Sequence, residues 1–187
     1  MWQKPFNLIH HIVVQSKQHI MLKKHFKGLV FLFPLACIFI FSSCNKSAGI
    51  TKDLNTGLTS SYKNMTPAKV YLIMNNEILK NADIPLGEKF YVINNDVQGL
   101  KVRDGKVSVG CALKISDTKG NILLDEADLF SGNDVFNQKE AELLRCAVQT
   151  GEPMNWEEEY DIHAKFWDKY GDGNIENKVR IRAVKAP

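Results

Sequence analysis

Between residues 168 and 176 the chain gathers four oxygen-bearing side chains, Asp168, Asp172, Asn174 and Glu176. Hard oxygen donors crowded into one loop are what calcium selects. They raise one expectation, a calcium-dependent module or an enzyme centred on the 168–176 loop. The spacing lacks the Asp-x-Asp-x-Asp-Gly order of the helical calcium loop. Gly171-Asp172-Gly173-Asn174 is also what a hairpin turn needs for backbone reasons, and a polar turn is the favoured reading. Cys111 and Cys146 are a second chemical possibility. In an oxidising compartment a bond between them would close a loop of about 35 residues and contribute roughly 4 kcal/mol on the entropic account. As separate buried thiols they would act as small hydrophobes. No Cys-x-x-Cys accompanies them, so redox catalysis is not expected. His163 stands on the outward phase of its strand beside charged neighbours, which is poor support for a base–nucleophile pair. No catalytic residue is assigned. Trp167, Tyr91 and Trp156 are large aromatics able to stack on a sugar ring or anchor a protein partner, with Trp167 and Tyr91 the candidates for binding.

The charge is unevenly placed. Residues 1–43 carry five Lys and no Asp, Glu or Arg. The remaining 19 basic and 21 acidic residues give residues 44–187 a net charge of 19 minus 21, or −2. A domain of that charge offers no electrostatic reason to bind nucleic acid.

Lys23, Lys24 and Lys27 precede an apolar run of thirteen residues, Leu29–Phe41, interrupted only by Pro34. A bilayer span needs about 20 residues, whereas the apolar region of a secretory signal needs about 7–15. Met21-Leu22-Lys23-Lys24 makes an ordinary signal start, so residues 1–20 read as an upstream extension or mis-start. Phe41-Ser42-Ser43-Cys44 closes the segment with an apolar residue, two small residues and a cysteine. This resembles the lipobox of bacterial lipoproteins. The resemblance implies that Cys44 takes a diacylglycerol group and becomes the first residue of the mature chain. With Cys37 removed and Cys44 acylated, Cys111 and Cys146 are the thiols that remain. Two or three acyl chains, each contributing roughly 0.8 kcal/mol per buried methylene, make an effectively permanent anchor.

The elements that position these residues read as strands. Residues 44–66, rich in Ser, Thr, Asn, Lys and Gly, read as a flexible tether, with one folded domain over 67–187. Val107, Val109, Cys111, Leu113 and Ile115 alternate with polar or small residues, the clearest period-two pattern in the chain. Similar alternation marks Val70–Met74, Leu144–Val148, Tyr160–Phe166 and Val179–Ala183, and Lys89–Ile93 is a further strand-forming run. Asp117–Asn121 reads as a turn and Ile122–Leu124 as its return strand. A short helix is expected near 138–143, with Asn137 and Glu140 in capping-box positions. About seven short strands separated by turns predict an all-β, antiparallel immunoglobulin-like sandwich, architectural in that label only, with a small barrel as the runner-up.

Signal, tether and short-stranded domain together resemble small lipoproteins of Bacteroidota, with Val107-Ser108-Val109-Gly110 and Phe166-Trp167-Asp168-Lys169 carrying the likeness over Ile84–Val184. That resemblance implies an outer-membrane location. Asn45-Lys46-Ser47-Ala48-Gly49 lacks the acidic residues that accompany surface display in the group, which favours the periplasmic side. The expectation is a lipid-anchored, non-catalytic binding or structural module, attached to the membrane through its N-terminal lipid and facing a protein or glycan partner, with no cofactor.

Overall fold

The computed structural model describes residues 47–185. The expected signal, its lipobox and Cys44 lie outside the described residues. Twelve strands follow in chain order: β1 (Ala48–Lys52), β2 (Thr59–Lys63), β3 (Thr66–Met74), β4 (Glu77–Ile78), β5 (Asp83–Pro85), β6 (Lys89–Gln98), β7 (Lys106–Asp117), β8 (Ile122–Glu126), β9 (Val135–Asn137), β10 (Leu143–Gln149), β11 (Glu159–Asp168) and β12 (Asn174–Val184).

Period-two alternation explains the two layers. On β7, Val107, Val109, Cys111, Leu113 and Ile115 point inward and are at most 3% exposed. Tyr160, Ile162, Ala164 and Phe166 do the same on β11, and Ile175, Val179, Ile181 and Ala183 on β12. Opposite them stand Leu72 of β3, Phe90 and Val92 of β6, and Leu144, Cys146 and Val148 of β10. Fully burying one such aliphatic or aromatic side chain contributes about 1.5–3 kcal/mol, so two apolar faces of this size hold each other. The larger sheet runs β1-β2-β12-β11-β7-β8, and the smaller runs β10-β6-β3-β4. β5 lies parallel to the last residues of β12, and β9 lies antiparallel to the start of β7. The remaining pairings are antiparallel. The result is an all-β sandwich with open edges.

Three expectations change. Residues 48–63, read as tether, form β1 and β2, and β2 pairs with β12 from Thr59 to Lys63. The folded part therefore begins well before Pro67. Seven expected strands become twelve, because short pieces such as β4, β5 and β9 carry too few residues to show a period. The helix expected at 138–143 is a three-residue 3-10 turn, Glu140–Glu142, and β10 starts immediately after it. The Glu140 carboxylate does accept the Asn137 backbone N–H at 3.1 Å, as the capping spacing predicts. The Asn137 side chain instead accepts from Lys106 Nζ at 2.6 Å.

Two turns place the rest. Asp117 closes the β7–β8 hairpin by accepting the N–H groups of Lys119 and Asn121 at 2.9 and 2.8 Å. Asp168 opens the β11–β12 hairpin, and its backbone N–H donates to Gly173 O at 2.9 Å.

Candidate functional site

β10 is an edge strand. It pairs with β6 on one side, Leu143 opposite Asn95 through Gln149 opposite Lys89, and among the described residues no strand of its sheet lies on the other. Its alternation sends Leu144, Cys146 and Val148 into the core and leaves Leu143, Arg145 and Ala147 exposed. Edge strands offer unpaired backbone donors and acceptors.

Across from this edge the chain leaves β8 and returns through β9. Asp128 fixes that return. Its carboxylate accepts the N–H of Cys111 and of Phe130, both at 3.0 Å, and pairs with Lys169 Nζ at 2.6 Å. Burial pushes the Asp128 carboxyl up, but these hydrogen bonds, with that of Lys169 foremost, outweigh it and hold the group below the usual carboxylate range. Lys169 also reaches Asp134 at 2.7 Å, and Ser108 Oγ bonds the same carboxylate oxygen. So anchored, Phe130 packs edge-on to Phe136 with centroids 5.7 Å apart and tilts against Phe166 at 6.2 Å.

A cleft of about 540 Å³ remains between the Leu129–Phe136 arm and β10. Leu129, Phe130 and Phe136 form one wall. Five consecutive residues of β10, Leu143–Ala147, form the other, and Tyr91 of β6 and Glu140 complete it. Ligand sites commonly have this size and this mix of apolar walls with a few polar groups. Leu129 and Leu143 are 43% and 44% exposed, a large apolar exposure for a single opening. Arg145 and Glu140 supply one charge of each sign, and the hydrogen bonds from Asn137 hold the Glu140 carboxyl below its ordinary range.

The structure separates the sequence-predicted residues. Tyr91 lines the cleft. Trp167 does not: it lies on the outer face of the larger sheet, its indole laid over Gly110 of β7 where a side chain would collide with it. Trp156 is 61% exposed and lies apart from both. Cys111 and Cys146 are brought together. Both are buried in the same core cluster, and neither is bonded.

The structure places the four proposed calcium ligands apart. Asp168 is 4% exposed, and its two oxygens accept the N–H of Tyr170 at 2.9 Å and of Lys101 at 2.7 Å. Asp172 is exposed in the turn, and Asn174 stands opposite Trp167 in the ladder. Glu176 pairs with Lys165 at 3.0 Å on the outer face, which holds its carboxyl below the usual range. Among the described residues no three His, Cys, Asp or Glu side chains are grouped to hold a metal ion. The buried Asp168 serves the backbone N–H groups of Lys101 and Tyr170.

The outer face of the larger sheet carries a shallower hollow of about 440 Å³ around His163. His163 stands between Lys114 and Lys178 in the ladder. Burial and then the Lys178 charge push its imidazole below the ordinary histidine value, so it is neutral at pH 7. Its Nε2 lies 3.5 Å from a Glu176 carboxylate oxygen and has no hydrogen-bond partner among the described residues.

Sequence reasoning missed Leu129, Phe130, Phe136, Leu143 and Arg145. The available signal was a Leu-Phe pair and a second Phe in an otherwise polar stretch, 127–137, that shows no period.

No family model matches the chain, and no curated protein matches it. A solved structure, the crystal structure of the C-terminal domain of wzt, is similar over 78% of this chain and 81% of that one, with 8% identity and a TM-score of 0.43. A likeness this loose carries no argument about what this chain binds.

Proposed function

We propose that this chain is a lipid-anchored envelope protein whose sandwich is a non-catalytic binding module, and that its partner docks in the cleft along β10. The observation that carries the reading is the run Leu143–Ala147. Because consecutive residues line the cleft, an occupant meets both faces of the strand and its unpaired backbone edge. An extended protein segment satisfies all three at once by adding a strand, with an apolar side chain reaching Phe130 and Phe136. The anchor is the acylated Cys44, and the location is the periplasmic side of the outer membrane.

Thermal melting of the chain from Cys44 onward tests the cleft, using an arrayed panel of extended peptides with alternating apolar residues and a panel of oligosaccharides. A ligand at 100 times its dissociation constant stabilises by about 2.7 kcal/mol. The expected shift comes from a peptide, disappears in Tyr91→Ala and Leu143→Asp, and survives in Trp167→Ala. An oligosaccharide shift with the same mutational pattern would keep the cleft and change the partner class. A shift lost only in Trp167→Ala would overturn the cleft. For the anchor, an alkyne fatty acid fed to cells should label the wild type and spare Cys44→Ala; equal labelling of both removes it.

A further inference from the structure

Cys111 lies in the middle of β7, opposite Phe166 of β11, and Cys146 lies in the middle of β10, opposite Val92 of β6. One thiol therefore comes from each sheet. Both point into the shared core, 0% and 1% exposed. Both belong to one hydrophobic core cluster, and neither is bonded to the other. A β-sandwich accommodates a bond between its two sheets at such a place. The two thiols differ in access, because Cys146 also lines the cleft. β10, held by one ladder only, is the strand whose opening would expose it.

We propose that Cys111 and Cys146 form a disulfide that ties β10, one wall of the cleft, to β7 inside the larger sheet. The oxidant is a disulfide-bearing compound or protein of an oxidising compartment. Cys146 loses its proton and attacks a sulfur of that disulfide, which breaks and releases one thiolate. Cys111 then loses its proton and attacks the Cys146 sulfur, expelling the second thiolate. Two thiols of the chain become one disulfide, and one external disulfide becomes two thiols after protonation.

Intact mass and peptide mapping of the full chain test the bond without any cleft ligand, so this inference and the binding module fail separately. Protein isolated from the envelope is denatured in N-ethylmaleimide, with and without prior reduction. The expected result is a linked peptide pair holding Cys111 and Cys146, alkylated only after reduction. Both thiols alkylated without reduction, even after incubation of the folded protein with oxidised glutathione, would overturn it. Reductant should lower the melting temperature of the wild type by roughly 10 °C and leave the Cys111→Ala/Cys146→Ala double variant unmoved. An unmoved wild type counts against the tie. Glutathione should add faster to Cys146 in Cys111→Ala than to Cys111 in Cys146→Ala; the reverse order would overturn the sequence of steps. Should the variants fail to fold, the mapping on the wild type decides alone.

Discussion

Asp117 and Asp168 each end a long strand of the larger sheet, and each folds the chain back into its neighbour. Asp117 completes its work within four residues, through Lys119 and Asn121. Asp168 uses one oxygen on Tyr170 nearby and the other on Lys101, 67 residues away in sequence. The first is a turn that any solvated hairpin could carry. The second is a clasp that pins the β6–β7 connection to the β11–β12 hairpin, in a nearly dry setting. Residue type was the same in both. Burial and the distance of the partner decide what the carboxylate does.

The largest effect should follow Asp168→Ala. It leaves two N–H groups without their charged acceptor, each such bond being worth about 1.5–3 kcal/mol, so a loss of about 3 kcal/mol in urea unfolding is expected. A loss under about 0.5 kcal/mol would show that the clasp is ornamental and that both aspartates are local turns. Asp128→Asn comes second, at about 1.5 kcal/mol, because the amide oxygen can keep both N–H contacts, which share Oδ1, but the charge opposite Lys169 is lost. Its pH dependence sharpens the point. The folded carboxyl sits below the ordinary aspartate value, so its contribution is present above about pH 4 and is lost as the pH falls through the folded value. The wild type should therefore lose stability below pH 4 more steeply than Asp128→Asn, and parallel acid profiles would contradict the geometry. Asp117→Ala should be smallest, moving the melting temperature by no more than about 2 °C. A drop matching that of Asp168→Ala would erase the contrast.

The long strands were legible because their inward positions are apolar without a break, as on β7 and β10. β12 was legible only in its second half. The reading began at Val179, while the strand begins at Asn174, since the inward position between Ile175 and Val179 is Asn177, buried but polar. β2 failed for the same reason: its inward residue is Ser60, 1% exposed, in a run of Thr and Ser that looks like a tether. Of the site, Tyr91 was named, but the cleft was not. A cleft arises where two strands fail to meet, and no local pattern encodes the absence of a neighbour. The clustering of Asp168, Asp172, Asn174 and Glu176 in sequence misled in the opposite sense, because alternate strand faces and a buried turn pull them apart. The inward phase of Cys111 and Cys146 was legible from the period, but their placement in opposite sheets was not, because phase does not say which sheet a strand joins.

β12 is hydrogen-bonded to β2, β5 and β11, and it is the last strand of the described residues to leave the ribosome. Until it arrives, β2 has lost its inner neighbour and β11 has one ladder in place of two. Such distant pairings are slow to form, because chain closure must precede them. The larger sheet is thus completed only once β12 has emerged, rather than strand by strand. A chain cut short near Gly173 would present three orphaned edges together, and quality control would meet a whole sheet waiting to stick rather than a single frayed end.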